Sequence, residues 1–82
     1  MVNYLHLEDA TSDLAQLFGQ RLRERRQALK LTQGMLFEKT GIAASYISII
    51  ERGRANPSLD VIAALSEAVE CSVSDMLRSP SD

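Results

Sequence analysis

The chain of 82 residues contains a single cysteine, no tryptophan and only four aromatic residues, two Phe and two Tyr. One thiol cannot build a disulfide framework or a multi-cysteine metal site, which favours a reducing compartment. No apolar run approaches the ~20 residues that a membrane-spanning helix needs. The first eight residues also lack the basic and apolar segments of a secretory signal. We therefore expect a cytoplasmic protein that does not enter a membrane.

Side chains suited to catalysis or metal binding are also scarce. His6 is the only histidine, and its acidic neighbours Glu8 and Asp9 are more typical of a solvated terminus than of a metal site. Cys71 has no histidine near it in sequence, which favours a packed thiol over a nucleophile. No glycine-rich phosphate loop occurs. We expect no enzymatic activity, no metal, no cofactor and no small-molecule ligand.

The net charge of −2 conceals an asymmetry along the chain. Residues 21–54 contain eight of the nine basic residues and three acidic ones, a net charge of +5. The remaining residues carry eight acids against Arg78 alone, a net charge of −7. Such a chain can present one positive face although it is acidic overall. Charge alone does not distinguish a nucleic-acid interface from a solvated helix surface.

Hydrophobic periodicity predicts five helices and no strand. The first helix is capped by Ser12 or Thr11, and its apolar stripe consists of Leu14, Leu17, Phe18, Leu22 and Leu29. Thr32 caps a second helix over residues 33–39, and a third runs over about 43–52. Ser58 caps the fourth helix, and Ser72 or Ser74 begins the fifth. The few glycines and prolines are expected where helices stop.

The spacing also predicts a buried ion pair. Arg26 falls four residues after Leu22, on the apolar stripe of the first helix, and Glu51 falls on the inner face of the third. A charge at a core-facing position costs several kcal/mol unless it is paired, so each residue predicts the other as its partner. The alternative is that the two side chains reach solvent separately.

Three blocks of sequence carry a family resemblance. They are Thr32-Gln33-x-x-Leu36-x-x-Lys39-x-Gly41-Ile42, Ser45-Tyr46-Ile47-Ser48-x-Ile50-Glu51-Arg52-Gly53 and Asn56-Pro57-Ser58-Leu59. Together they resemble the Cro/C1-type helix-turn-helix family of phage repressors and restriction–modification controllers over residues 18–77. The resemblance implies a lambda-repressor-like, all-α fold of five packed helices that binds double-stranded DNA. We assign residues 1–10 to an N-terminal extension, 11–78 to the DNA-binding domain and 79–82 to a frayed tail.

The resemblance implies which residues contact DNA. The third helix enters the major groove, and the positions that match base contacts are Ala44, Ser45, Ser48 and Ile49. The positions that match phosphate contacts are Gln33, Arg52, Arg54 and Asn56. Tyr46 either reaches a phosphate or packs in the core. For Arg23 and Lys39, a phosphate contact and a solvated position are equally consistent with the sequence. Serine, alanine and isoleucine offer little direct readout, so DNA shape, or Arg52 and Arg54, should contribute part of the specificity.

Three residues depart from the family pattern. Gly34 and Met35 replace the polar or acidic pair that is common after Thr-Gln, and Gly34 weakens the second helix by roughly 1 kcal/mol relative to alanine. Phe37 occupies a position where the family usually has alanine, at the crossing of the second and third helices. Its ring must displace a neighbour or turn outward.

Proteins of this class bind palindromic sites as two-fold dimers. We predict an isologous homodimer through some of the apolar residues of the last two helices, namely Leu65, Val69, Val73, Met76 and Leu77. The alternative is that all five complete the monomer core. The sequence thus favours a repressor or autoregulator that is controlled by its own concentration. The alternatives are an antitoxin that masks a partner toxin, and a restriction–modification controller that activates as well as represses.

Overall fold

A computed structural model describes residues 11–79, so the predicted N-terminal extension and most of the predicted frayed tail lie outside the described residues. Within residues 11–79 the chain is all-helical, which confirms the predicted fold class. The five helices are α1 (Asp13–Ala28), α2 (Gln33–Thr40), α3 (Ala44–Glu51), α4 (Leu59–Ala68) and α5 (Val73–Leu77). None of these helices is long and apolar enough to cross a membrane.

Hydroxyl side chains begin four of the five helices. Ser12, Thr32, Ser58 and Ser72 each accept a hydrogen bond from the backbone N–H three residues later, which satisfies one otherwise unpaired donor in the first turn. Of the two candidates predicted for each of these caps, Ser12 and not Thr11 caps α1, and Ser72 and not Ser74 caps α5. The N-cap of α3 is Ala43, whose methyl group accepts no hydrogen bond, so packing must hold the start of α3 in place.

Three helices end in the same motif, with a left-handed residue directly after the C-cap. Gly53 has this role after α3, with φ 72°, but Lys30 after α1 and Glu70 after α4 adopt φ 59° and 57° without being glycine. In each case the next N–H reaches back to a carbonyl in the last turn, as from Leu31 to Arg26 at 3.0 Å. The two non-glycine positions carry no sequence signal of a helix end.

The core is formed where α1 and α3 meet the other helices. Its buried members are Phe18, Leu22, Leu36, Ile47, Ile50, Ile62, Leu65, Val69 and Met76. Leu14 does not belong to it, because its side chain is 52% exposed; the buried stripe of α1 starts at Ala15 instead. The predicted stripe of the first helix is therefore wrong at this residue, since the first turn of α1 lies at the edge of the core.

Gly19 corrects the expectation that glycines mark helix ends. It lies in the middle of α1, buried, and a methyl group at its Cα would overlap the carbonyl oxygen of Ile50 in α3. A glycine is needed here because the two backbones approach too closely for any side chain. Gly34 also lies inside a helix, but its surroundings are open.

Candidate nucleic-acid interface

Arg26 and Glu51, the pair that the spacing predicts, are joined by two hydrogen bonds. Nε of Arg26 donates to Oε2 of Glu51 at 2.7 Å, and Nη2 donates to Oε1 at 2.8 Å. Only 14% of the Arg26 side chain and 3% of the Glu51 side chain are exposed. The hydrogen bonds to Glu51 raise the pKa of Arg26 above its ordinary value, so the guanidinium stays charged at any physiological pH.

The third nitrogen of the guanidinium ties the pair to the turn that precedes α2. Nη1 of Arg26 donates to the carbonyl oxygen of Leu31 at 3.0 Å. Thr32 follows directly and caps α2, so the ion pair fixes the place where α2 begins relative to α3. One buried charge pair thereby links α1, α3 and the start of α2.

Gln33, the first residue of α2, joins the same network. Its Nε2 donates to Oε1 of Glu51 at 3.1 Å, a contact that the sequence did not predict. The pair and Gln33 line a surface cleft of about 200 Å³, together with Arg23, Ser48 and Arg52. Three arginines against one glutamate give the cleft a net charge of +2, which suits an anion.

The outer face of α3 borders this cleft. Ser45 and Arg52 are exposed, and Ala44, Ser48 and Ile49 are partly exposed. Nε of Arg52 donates to the carbonyl oxygen of Ser48 at 3.3 Å, so part of its guanidinium is held at the end of α3. Tyr46 is partly buried and packs against the core, which is the second of its two predicted roles.

Two arginines of the basic stretch lie elsewhere. Arg25 donates to the carbonyl oxygens of Val69 and Glu70, at 3.0 and 3.3 Å from Nη2, and so closes the C-terminal end of α4. Arg21 donates to the carbonyl oxygen of Asp75 in α5. The stretch with a net charge of +5 therefore divides between a surface that borders α3 and contacts that bind α1 to the last two helices.

Asn56 has a structural contact that the sequence did not reveal. Its Oδ1 accepts a hydrogen bond from the backbone N–H of Ser12 at 3.2 Å, which joins the loop after α3 to the start of α1. Arg54 lies in the same loop and is exposed. Both predicted phosphate contacts are exposed, but only Asn56 also holds the start of α1 through this hydrogen bond.

The sequence profile of the helix-turn-helix family matches residues 22–76, which include α2, α3 and the turn between them. This chain belongs to the helix-turn-helix family. Its helix-turn-helix unit consists of α2, the turn at residues 41–43 and α3. Gln33 and the outer face of α3 are therefore parts of one supersecondary unit, and Arg23 and Arg26 of α1 complete the cleft beside it.

Three relatives show how far the likeness extends. The immunity repressor protein of Bacillus phage phi105 is 45% identical over 56 residues, which cover 68% of this chain and 39% of the repressor. Control protein C.BamHI of Bacillus amyloliquefaciens is 37% identical over 68 residues, 82% of this chain and 84% of that protein. The crystal structure of the restriction–modification controller C.AhdI from Aeromonas hydrophila superposes with a TM-score of 0.71 at 39% identity, over 76% of this chain and 94% of that one. The chain thus spans about two fifths of the phage repressor.

Phe37 of the helix-turn-helix unit is 48% exposed, so its ring turns outward. Leu36, its neighbour in α2, is fully buried and fills the space between α2 and the core. The unusual phenylalanine is therefore accommodated at the surface, without displacing a core residue.

The predicted dimer residues separate into two groups. Leu65, Val69 and Met76 have no exposed surface, so they complete the core of the chain and are unavailable to a partner. These three residues therefore drop out of the predicted set, because α4 packs against α2 and α5, and α5 packs against α1, which encloses them. Val73 is 37% exposed and Leu77 is partly exposed, so both retain accessible surface.

Proposed function

We propose that this chain is a sequence-specific DNA-binding transcriptional regulator. The observation that carries the proposal is the positive cleft of Gln33, Arg23 and Arg52 at the edge of the accessible face of α3. A helix that presents its outer face beside phosphate-binding groups can enter the major groove while those groups grip the backbone. The names of the relatives, a phage immunity repressor and two controllers, support the same function.

In this proposal, phosphate contacts come from the residues that flank α3. Gln33 and Arg52 line the cleft, and Arg54 follows α3 in an exposed loop. Arg23 joins this set because it lines the same cleft from α1. Asn56 and Tyr46 are weaker candidates, since one holds the start of α1 and the other packs against the core.

Base contacts are proposed for Ala44, Ser45, Ser48 and Ile49. The two hydroxyls donate to or accept from several base edges, and the two apolar side chains suit thymine methyl groups. These positions offer no bidentate arginine contact with guanine. Sequence preference should therefore depend partly on the shape of the duplex.

We further propose that two copies act together as an isologous homodimer in the cytoplasm. A single recognition helix gives too small an interface for tight specific binding, whereas two copies reach half-sites one helical turn apart. Val73 and Leu77 remain as candidate contacts, and Leu59 adds an apolar side chain that is 79% exposed. The regulator would then respond to its own concentration.

A gel-shift titration tests the proposed function. The purified protein is mixed with duplex DNA from directly upstream of its own gene and with a scrambled duplex, at 50 and 200 mM salt. We expect retardation of the first duplex at lower protein concentration, and weaker binding at the higher salt. No retardation of any duplex at the lower salt would overturn the proposal and favour a protein-binding role such as that of an antitoxin.

A further inference from the structure

The carboxylate of Glu51 serves more donors than an ion pair requires. Oε2 accepts from Nε of Arg26, whereas Oε1 accepts both from Nη2 of Arg26 at 2.8 Å and from Nε2 of Gln33 at 3.1 Å. Glu51 therefore contacts the structural arginine and, with the same oxygen, the residue at the edge of the cleft. A purely structural pair would need the first contact alone.

We infer that Glu51 is a positioning residue that orients the carboxamide of Gln33 for a DNA phosphate, an inference that rests on the proposed function. With one N–H held by Glu51, the carboxamide keeps a single orientation at the start of α2. Its second N–H is then directed by the protein rather than by the arriving phosphate. Binding therefore avoids the entropy cost of ordering this side chain.

Because Glu51 is charged, the direction in which its substitution changes the affinity for DNA tests this inference. A carboxylate in a phosphate-binding cleft lowers the positive potential that attracts DNA. If charge were its only effect on binding, then Glu51→Gln, which removes the carboxylate charge, would strengthen DNA binding. If Glu51 acts by positioning Gln33, the same change weakens binding. The amide oxygen of Glu51→Gln has two acceptor sites, too few for the three N–H donors that the carboxylate serves. The charged Arg26 competes for them more strongly than the neutral carboxamide, so the bond to Gln33 is the one that is lost.

The experiment is a double-mutant cycle on duplex affinity, with Glu51→Gln, Gln33→Ala and the combined variant. Affinity is measured by fluorescence anisotropy at a temperature at which circular dichroism shows every variant folded. We expect Glu51→Gln to weaken binding about fivefold, the effect of one lost hydrogen bond. In the Gln33→Ala background it should not weaken binding further. Unchanged or tighter binding by Glu51→Gln would overturn the inference.

A stability control separates positioning from general loosening of the fold. Ile62→Val lies in α4, away from the cleft, and truncates a buried side chain, so it lowers stability without touching the DNA-binding residues. It should leave the affinity of the folded protein unchanged. If Ile62→Val weakens binding as much as Glu51→Gln does, the effect of Glu51 is structural only, and the inference fails.

A second variant avoids changing the buried pair. Gln33→Asn keeps the carboxamide but shortens the side chain by one methylene, so it no longer reaches Glu51. We expect Gln33→Asn to bind DNA as weakly as Gln33→Ala, with a loss of stability no greater than that of Gln33→Ala, because the Arg26–Glu51 pair remains intact. Wild-type affinity for Gln33→Asn would contradict the inference. Failure of the wild-type protein to bind any duplex would instead overturn the proposed function.

Discussion

Gly19 of α1 lies directly against the backbone carbonyl of Ile50 in α3, with no room for a side chain between them. This contact sets the distance between the helix that carries Arg26 and the helix proposed to read DNA. The close approach allows Arg26 to reach Glu51, one residue beyond Ile50. The geometry of the cleft therefore depends on a residue that carries no functional group.

Gly19→Ala is expected to destabilise the protein by about 3 kcal/mol, because α1 and α3 must separate to admit the methyl group. Urea unfolding followed by circular dichroism measures the change. Gly34→Ala is the matched control: it lies in a helix with open surroundings, and we expect it to stabilise the fold by about 0.5–1 kcal/mol. Equal effects of the two substitutions would contradict the close approach.

Arg26→Ala is expected to cost roughly 3–5 kcal/mol, since it leaves a buried carboxylate without its partner. Exchanging both residues for methionine should recover much of the loss, because an apolar pair leaves no uncompensated charge. Thermal and urea unfolding of the single and double variants test this. A melting curve unchanged by Arg26→Ala would show that the pair contributes nothing to stability.

The pattern of the sequence predicted the features that depend on nearby residues. Hydroxyl residues at the beginning of apolar-periodic segments predicted helix starts, and two charges on apolar faces predicted each other. The contacts of Arg25 and Asn56 were not predictable in this way. Both side chains bind backbone groups about 44 residues away, and a backbone carbonyl or N–H has the same chemistry in every residue.

Burial was predictable only by helix face, because the sequence does not reveal how far each helix extends past the core. Leu14 continues the stripe of α1 but lies beyond its neighbours, whereas Met76 in the short α5 is fully enclosed. For the same reason, the sequence did not show which apolar residues of α4 and α5 belong to the core and which lie at the surface.

Arg52→Ala and Arg25→Ala should separate DNA contact from structure. Arg52 borders the cleft, and its loss should weaken binding to all duplexes and reduce the salt slope by about one. Arg25 closes the end of α4, so its loss should lower the melting temperature and leave the salt slope unchanged. Anisotropy titrations from 50 to 300 mM salt give both slopes. A slope unaltered by Arg52→Ala would remove this residue from the phosphate contacts.

Glu70→Gly is expected to stabilise the protein by about 1 kcal/mol. Glu70 adopts φ 57° after α4, a left-handed conformation that glycine reaches without the clash of a Cβ atom. The hydrogen bond that Glu70 accepts from Arg25 is made by its backbone carbonyl oxygen, so this bond is retained in Glu70→Gly. Urea unfolding measures the gain. Glu67→Gly, inside the helix, should instead destabilise by about 1 kcal/mol.

Val73→Glu should dissociate the proposed dimer without unfolding the chain. Val73 is 37% exposed at the first residue of α5, where an acidic side chain is compatible with the helix dipole, so the fold should tolerate it. If Val73 lies in an isologous interface, both copies of the substituted residue are buried in it, and two buried carboxylates without partners oppose association. Sedimentation equilibrium at 1–200 μM should show a dimer for the wild type and a monomer for the variant.

Leu65→Ala is the contrasting variant: it truncates a fully buried side chain, so it should lower the melting temperature but leave the folded protein dimeric. A wild-type chain that remains monomeric at 200 μM would contradict the dimer itself, whereas a dimer that tolerates Val73→Glu would move the interface away from the start of α5.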